Sequence, residues 1–394
     1  MSSVILMMNK VDIKRASILE SATRVFSEKG FFESTISDIA RGAGIAESAV
    51  YHHFRGKEDI LFTIPKDGMK IFLTNLNDQL EGIKGAENKI RKLIWHHCKY
   101  FTTNREYTDV LLLECRSNTR FYNSKAYSLI KDYSKIIIDI LDEGMREGVI
   151  CNLASPGLVR DMIMGTVDHA ALSWVFKDYP SPLERAEGIS ELILSSLRSK
   201  KGIKRNLGSK EEKRKRIVEA ATKIFAEKGY DGATISEIAK EAEVADGTIY
   251  EYYKSKEDLI VNIPEENLLE LLSYIEEMSP EKKLERVILF CFRFFNNNRY
   301  FTSILVLMLR PNRKFYESES NKILDRIGDK IGDIIVEGRK QGVFSNDFDI
   351  SVFQDLVFGT IDHIIIPWVI FKRKYNLLQL GEEASKLLLN SIRA

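Results

Sequence analysis

The sequence predicts an all-α protein made of two like units in one chain. Three observations carry that expectation. The phrase "AVYHHFRGKEDI" at Ala49–Ile60 returns 199 positions later as "TIYEYYKSKEDL" at Thr248–Leu259. Residues 26–59 and 225–258 align without a gap, with 15 identities in 34 positions. Apolar residues recur at helical spacing in both copies, and no stretch alternates with period two between hairpin turns. Two long copies describe a fusion of complete units, not a solenoid, whose repeats are short.

Within the first copy, Ile18, Ala22, Val25 and Phe26 form one face of a helix over Ile13–Glu28, and Gly30 supplies a left-handed stop. Thr35 with Asp38, and Thr234 with Glu237, carry the S/T-x-x-D/E signature of a helix start. That helix ends near Ala43-Gly44, and a second short one follows over about Glu47–Phe54. Ile39, Ala40, Ile45, Val50 and Phe54 can pack between them. Two short helices around a glycine-containing turn read as a helix-turn-helix, whose second helix enters a DNA major groove. Ile64-Pro65 answers Ile263-Pro264. Beyond that the offset becomes 194: "RSNTRFY" pairs with "RPNRKFY", "GTVDH" with "GTIDH", and Trp174 with Trp368. The expected units are a head at 11–71, a helical bundle at 72–198, a joint at 199–209, a second head at 210–270 and a second bundle at 271–394.

At 394 residues the chain has room for several domains, and its net charge of +1 names no partner. Cys98, Cys115, Cys151 and Cys291 are scattered without a CxxC spacing, which argues against a zinc site or a disulfide framework and fits a reducing cytoplasm. No apolar run approaches the roughly 18 residues that cross a bilayer. The opening "MSSVILMMNK" is too short in apolar residues for a signal peptide, and residues 1 to about 9 read as a frayed tail or an upstream start. No glycine-rich phosphate loop, nucleophile elbow or usefully spaced carboxylate pair is present, so an enzyme is not expected and no cofactor is called for. Asp168-His169 and Asp362-His363 look like catalytic pairs, but helix neighbours point about 100° apart, so packing or interface roles are preferred. The pairs His52-His53 and His96-His97 lack a supporting carboxylate or cysteine cluster and are not read as metal ligands.

"TISEIAKEAEVADGTIYEYYKSKEDL" and "TISDIARGAGIAESAVYHHFRGKEDI" resemble the DNA-binding domain of the TetR/AcrR family of regulators, and the resemblance extends over both copies. It implies a three-helix head on a ligand-sensing and dimerising bundle, twice. It places Thr35, Tyr51 and Lys57, with Thr234, Tyr250 and Lys256, beside DNA phosphates. Ser48, Ala49 and His52, with Gly247, Thr248 and Glu251, would face the groove. Copy one departs from the family by Ser48-Ala49 in place of Gly-Thr. Copy two carries Asp246 and Glu251 on its reading helix, while Arg198–Arg216 holds ten basic and two acidic residues that can grip a DNA backbone.

"ADGTIY", the Ile-Pro pairs, "RSN"/"RPN" and "GTVDH"/"GTIDH" further resemble the branch of that family that senses long-chain acyl-CoA. On that resemblance Arg116, Asn118, His169, Trp174, Arg310, Asn312, His363 and Trp368 are candidate ligand contacts. Read from the residues alone, Arg116/Asn118 and Arg310/Asn312 bind a head group or end a helix. The expected function is a cytoplasmic regulator, released from a double-stranded operator by a small apolar effector. Its two units should pair within the chain through Asp161–Phe176 with Glu187–Arg198 and Asp355–Phe371 with Glu382–Ile392, and the two pockets should differ. The other reading is a sensor or interaction protein in which one or both heads no longer read DNA.

Overall fold

The computed structural model describes residues 10–116, 118–150, 155–177, 179–197, 232–256, 258–259, 275–309, 322–371, 373 and 375–394, with isolated positions between 217 and 228. The joint, the basic arm, Arg310 and Asn312 lie outside the described residues. No strand occurs among those described. Head one is α1 (Lys10–Lys29), α2 (Ile36–Gly42) and α3 (Glu47–Tyr51). Ile18, Ala22 and Phe26 of α1 are buried against Ile39, Ala40, Val50 and Phe54, which is the small core the spacing predicts. Gly30 (φ 79°) and Gly44 (φ 67°) supply the left-handed turns. The second head has Glu243 (φ 56°) at the position of Gly44, a conformation that costs a side-chain-bearing residue about 1 kcal/mol.

α4 (Lys57–Leu80) carries head one onto the bundle. Pro65 lies inside it and lacks the N–H that would bond the Leu61 carbonyl; the Cys115 thiol reaches that carbonyl instead, at 3.8 Å. The bundle continues with α5 (Ala86–Thr103) and α6 (Arg105–Asp109), which widens into a π-helical turn at Val110–Cys115. Then come α7 (Lys125–Arg146), α8 (Pro156–Phe176) and α9 (Pro182–Ser196). The second unit repeats the plan with α10 (Ile235–Glu241), α11 (Asp246–Tyr252), α12 (Pro280–Asn297) and α13 (Arg299–Ile304). A π-helical turn at Leu305–Leu309 follows, then α14 (Lys322–Lys340), α15 (Ile350–Ile370) and α16 (Leu377–Ile392).

Among the described residues the largest helix contact is α8 against α15, and α9 packs on α16 beside it. These four helices join the two units. At the crossing, Gly165 meets Gly359, its own counterpart 194 residues on. A Cβ built on either would fall within the van der Waals radius of the other's backbone carbonyl. Small residues here let two backbones touch. α15 is 21 residues long and holds an 18-residue window of mean hydropathy 1.3, so it is long and apolar enough to cross a membrane. That corrects the reading that no run approaches this length. Its apolarity is explained by burial on several sides in the seam: Phe353, Leu356, Val357, Ile361 and Ile365 are nearly inaccessible.

Candidate nucleic-acid interface and effector cavity

Both heads begin their helix-turn-helix with a reciprocal capping box. The Asp38 N–H donates to Thr35 Oγ1 at 3.0 Å, and the Thr35 N–H donates to Asp38 Oδ2 at 3.1 Å. Thr234 and Glu237 repeat the pattern. Lys29 reaches Asp38 at 2.9 Å and holds its carboxyl down to about 2, with help from Thr35. On α3, Val50 faces inward while Ser48, Tyr51 and His52 are exposed and Ala49 is half-buried. In head two Gly247 and Tyr250 are exposed, Thr248 is half-buried, and the space about Gly247 is open. Glu251 lies on the same helix. In head one the groove-facing candidates therefore share one outer face.

Lys57, at the start of α4, is held by the turn after α1. Its ammonium donates to the carbonyls of Phe31 (2.5 Å), Ser34 (2.7 Å) and Phe32 (3.3 Å), and lies 4.5 Å from the Phe31 ring centroid. Burial lowers its pKa. This cation closes the turn after α1, where carbonyls are left without helical partners. Lys256 does likewise, donating to the Ala233 carbonyl at 3.0 Å. In head one the turn is braced from the bundle as well: Phe31 N–H donates to Glu114 of the π-turn at 2.9 Å, and Ser27 donates to Asp109 at 2.9 Å.

A cavity of about 740 Å³ opens between α7 and α8 of the first unit and α15 and α16 of the second. Its walls are apolar and aromatic: Phe121, Tyr127, Ile130, Leu158 and Met164 from one side, Ile364, Phe371 and Leu380 from the other. Tyr122 meets Phe371 edge-on across the units, ring centroids 5.2 Å apart. Lys131, Arg160 and Arg373 line it too, giving a cationic contribution opposite the single acid Asp161. Burial raises the Asp161 pKa against the pull of Arg160, which grips it at 2.7 Å. On α15, Pro367 interrupts the helical ladder, and Tyr375 donates to the Ile364 carbonyl at 2.5 Å. Arg116 separates this space from a smaller apolar recess bounded by Phe72, Phe101, Leu111 and Tyr133.

Residues 18–64 and 217–263 each match the family described as bacterial regulatory proteins, tetR family. Residues 66–196 and 266–391 each match the C-terminal region of YsiA-like proteins. The chain belongs to the TetR family. It carries two complete TetR units and is a transcriptional regulator of that family. It is 32% identical to the fatty acid metabolism regulator protein of Bacillus subtilis over 188 residues, 46% of this chain and 97% of the relative. Solved structures of two TetR regulators are also similar. The fatty acid degradation regulator FadR of Bacillus halodurans has 29% identity and a TM-score of 0.44, over 48% of this chain and 97% of that one. FadR of Bacillus subtilis, solved in complex with stearoyl-CoA, has 30% identity and a TM-score of 0.43, over 46% and 97%.

The TetR bundle brings only some of the candidate ligand residues to the cavity. Arg116 and His363 line it. Trp174 and Trp368 are instead covered by Arg105 and Arg299, whose guanidinium carbons lie 4.6 and 4.4 Å from the ring centroids. Asn118 accepts from the Arg120 N–H at 3.0 Å, at the start of a 3₁₀ turn, and reaches Glu58 of α4 at 3.4 Å. Its place is between bundle and head. His169 bonds Asp355 across the seam through Nδ1, at 2.8 Å. The cavity residues the sequence reading missed are Lys131, Arg160, Asp161, Phe371 and Arg373. They come from segments more than 200 positions apart, and nothing local marks them.

Asp168 is the hub of the inner polar cluster. It pairs with Arg116, His363 Nε2 donates to its Oδ2 at 2.6 Å, and Arg116 lies 2.9 Å from that same nitrogen. His97 Nε2 stands 3.9 Å from its other oxygen. Burial pushes Asp168 up, but Arg116, His363 and His97 outweigh it and hold the carboxyl at about 2. Burial pushes His97 down to about 3, with Asp168 opposing and Arg116 adding to the fall. The consequence for stability follows from proton counting. Between about pH 6.5 and 3 the unfolded chain protonates His97 and the folded one does not, so stability falls as pH drops through that window. Asp168 adds stability that is present above about pH 3.8 and is lost as pH falls toward 2. His97→Gln should flatten the upper window by a few kcal/mol and leave the lower one. Urea titrations across this range read it; an unchanged slope between pH 6 and about 4 would place the acid sensitivity elsewhere, with His96 the next group to examine.

Proposed function

We propose that the protein represses transcription from an operator of two unlike half-sites and lets go when an amphipathic acyl ligand, a fatty acid or its CoA thioester, enters the cavity. The observation that carries this is the cavity itself: a long aromatic and aliphatic space bordered by Lys131, Arg160 and Arg373, suited to an apolar chain with an anionic head. The similarity to a fatty acid metabolism regulator points the same way. An effector acts only if it binds the DNA-incompetent arrangement more tightly. The route for that preference runs from Arg116, whose carbonyl accepts from Tyr122 at 2.7 Å, through Arg120 to Glu58 of α4, 3.2 Å away. The π-turn at Val110–Cys115 lies on it, and such turns are frequent at functional sites.

The fusion makes the chain an internal pseudo-dimer. A symmetric dimer requires a palindrome; here α3 offers Ser48 and His52 where α11 offers Gly247 and Glu251. Cytoplasmic location goes with this role. A second reading, in which head two keeps the fold without reading bases, is favoured by Asp246 on its reading helix and by the strained turn at Glu243. Selection of bound sites from random DNA with purified protein separates the two: unlike half-sites support the first reading, and a single half-site supports the second. On the selected DNA, Lys57→Met should weaken binding and lower the melting temperature while the dependence of log K on log salt keeps its slope. Tyr51→Phe should weaken all sequences alike. A slope reduced by about one in Lys57→Met would return that residue to the phosphates.

A further inference from the structure

The seam is pseudo-symmetric, so a second position equivalent to the cavity exists between α14 and α15 of the second unit and α8 and α9 of the first. Its residues have changed in one direction. Met164, on the cavity wall, is answered by Phe358, which stacks on the His169 ring with centroids 5.4 Å apart and an interplanar angle of 24°. Arg160 is answered by Gln354, whose Nε2 donates to the Gly328 carbonyl of α14 at 2.8 Å and so ties together the two helices that part around the cavity. Ser134 of the cavity is answered by Gly328 itself. A Cβ on Gly328 would lie 3.5 Å from Phe358 and 3.8 Å from Gln354, so both side chains already rest against that backbone.

The polar rim has been converted too. Lys131 and Phe371 of the cavity are answered by Asp325 and Lys177, which form an ion pair across the units. In the last helix of each unit the offset is 195, as Ser190/Ser385 and Ser196/Ser391 show, and Leu380 is answered by Arg185, whose side chain is 4% exposed and whose guanidinium lies 2.5 Å from Asp355 Oδ2. Asp355 answers Asp161, and its other oxygen accepts from Ser173 and from His169, each at 2.8 Å. His363, the counterpart of His169, does not make the matching bond to Asp161 and turns to Asp168. Among the described residues, an aromatic ring, an amide bridge and a buried ion pair thus stand at positions that line open space on the other side; the counterparts of Arg116, Phe121, Tyr122 and Tyr127 lie outside the described residues.

We infer that the chain takes one effector, not two: the open cavity is the ligand site, and the equivalent position is a filled relic closed by Phe358, Gln354 and the Arg185–Asp355 pair. This rests on the reading of the open cavity as the effector site. One ligand then controls two heads, and it touches both units because His363, Ile364 and Phe371 belong to the second while Arg116 and Arg160 belong to the first.

The test counts sites on the full chain with anilinonaphthalene sulfonate, an apolar probe with an anionic head, and separately with stearoyl-CoA by native mass spectrometry. One dye site per chain is expected, weakened at least about tenfold by Met164→Trp or, from the facing helix, Ile130→Trp, and untouched by Phe358→Trp. Opening the relic with Phe358→Met and Gln354→Ser should raise the count to two. Two like sites in the unaltered chain, a site that survives both cavity-filling changes in folded protein, or no dye site at all would overturn the inference. A single dye site that stearoyl-CoA neither displaces nor occupies would leave the one-site inference standing and remove the acyl-CoA reading instead.

Discussion

Gly165→Leu should cost the protein about 3 kcal/mol or more. Overpacking in most cores is relieved when a neighbouring side chain finds another rotamer. Here the obstruction is the Gly359 carbonyl, part of a helix that cannot turn aside locally. The two longest apolar helices would have to move apart along their contact, and the buried residues on both flanks would lose packing with them. Gly359→Leu should match it, since the crossing is reciprocal. Gly165→Ala should already be clearly destabilising, although alanine normally favours a helix over glycine by about 1 kcal/mol. Gly188→Ala on α9 is the control: its added Cβ would meet only Val352, at 3.6 Å, and the substitution should be neutral or stabilising. Thermal and urea unfolding of the four variants decides the matter. A Gly165→Ala protein as stable as the parent would mean that the helices do not touch at this point.

Asp355→Ala should lose about 3–5 kcal/mol, because it strands a buried guanidinium. The aspartate is 1% exposed and is surrounded by Arg185, His169 and Ser173, all from the other unit. Removing it leaves Arg185 charged among apolar neighbours, with Ser351 as a remaining polar partner at 3.2 Å. Arg185→Met should cost a comparable amount by stranding the carboxylate. The informative variant is the double one. If the pair serves to hold a charge balance and not to add net stability, replacing both with apolar residues should recover most of the loss, leaving a coupling energy of a few kcal/mol. Additive losses in the double mutant would mean that the two side chains act separately and that their proximity has no energetic consequence.

The heads were legible because their signals are local. A capping box spans four residues, a left-handed glycine is one residue, and the repeat writes both twice. The second helix of the motif is shorter than the spacing predicts, ending at Tyr51 with Phe54 in the following turn. The four seam helices were legible from paired apolar segments and a matched GTVDH/GTIDH phrase. The carbonyl partners of Lys57 were not legible, because a cation opening a helix is an anomaly that either a phosphate or a set of spare carbonyls can resolve. Those carbonyls lie more than twenty residues earlier in the chain, so only the folded turn reveals them. The arginines that cover Trp174 and Trp368 could not be read from the sequence, because Arg105 and Arg299 reach them only in the folded bundle. The cavity could not be read at all: Arg160 and Arg373 become neighbours only through the packing of α8 on α15.

That packing also has a genetic consequence. Cells that carry many regulators of one fold face mixed assembly, in which a subunit of one pairs with a subunit of another and silences both. The helices used for such pairing are here saturated by their own chain, each covered by a partner that is always present and never diluted. On the proposed internal pairing, a damaging substitution in one unit should stay within the molecule that bears it, and mixing intact with altered chains should leave the intact ones active. Co-expression with a single-unit relative leaves the pairing of α8 with α15 as it was. The duplicated gene has made its product an individual in which the two halves are inherited, expressed and lost together.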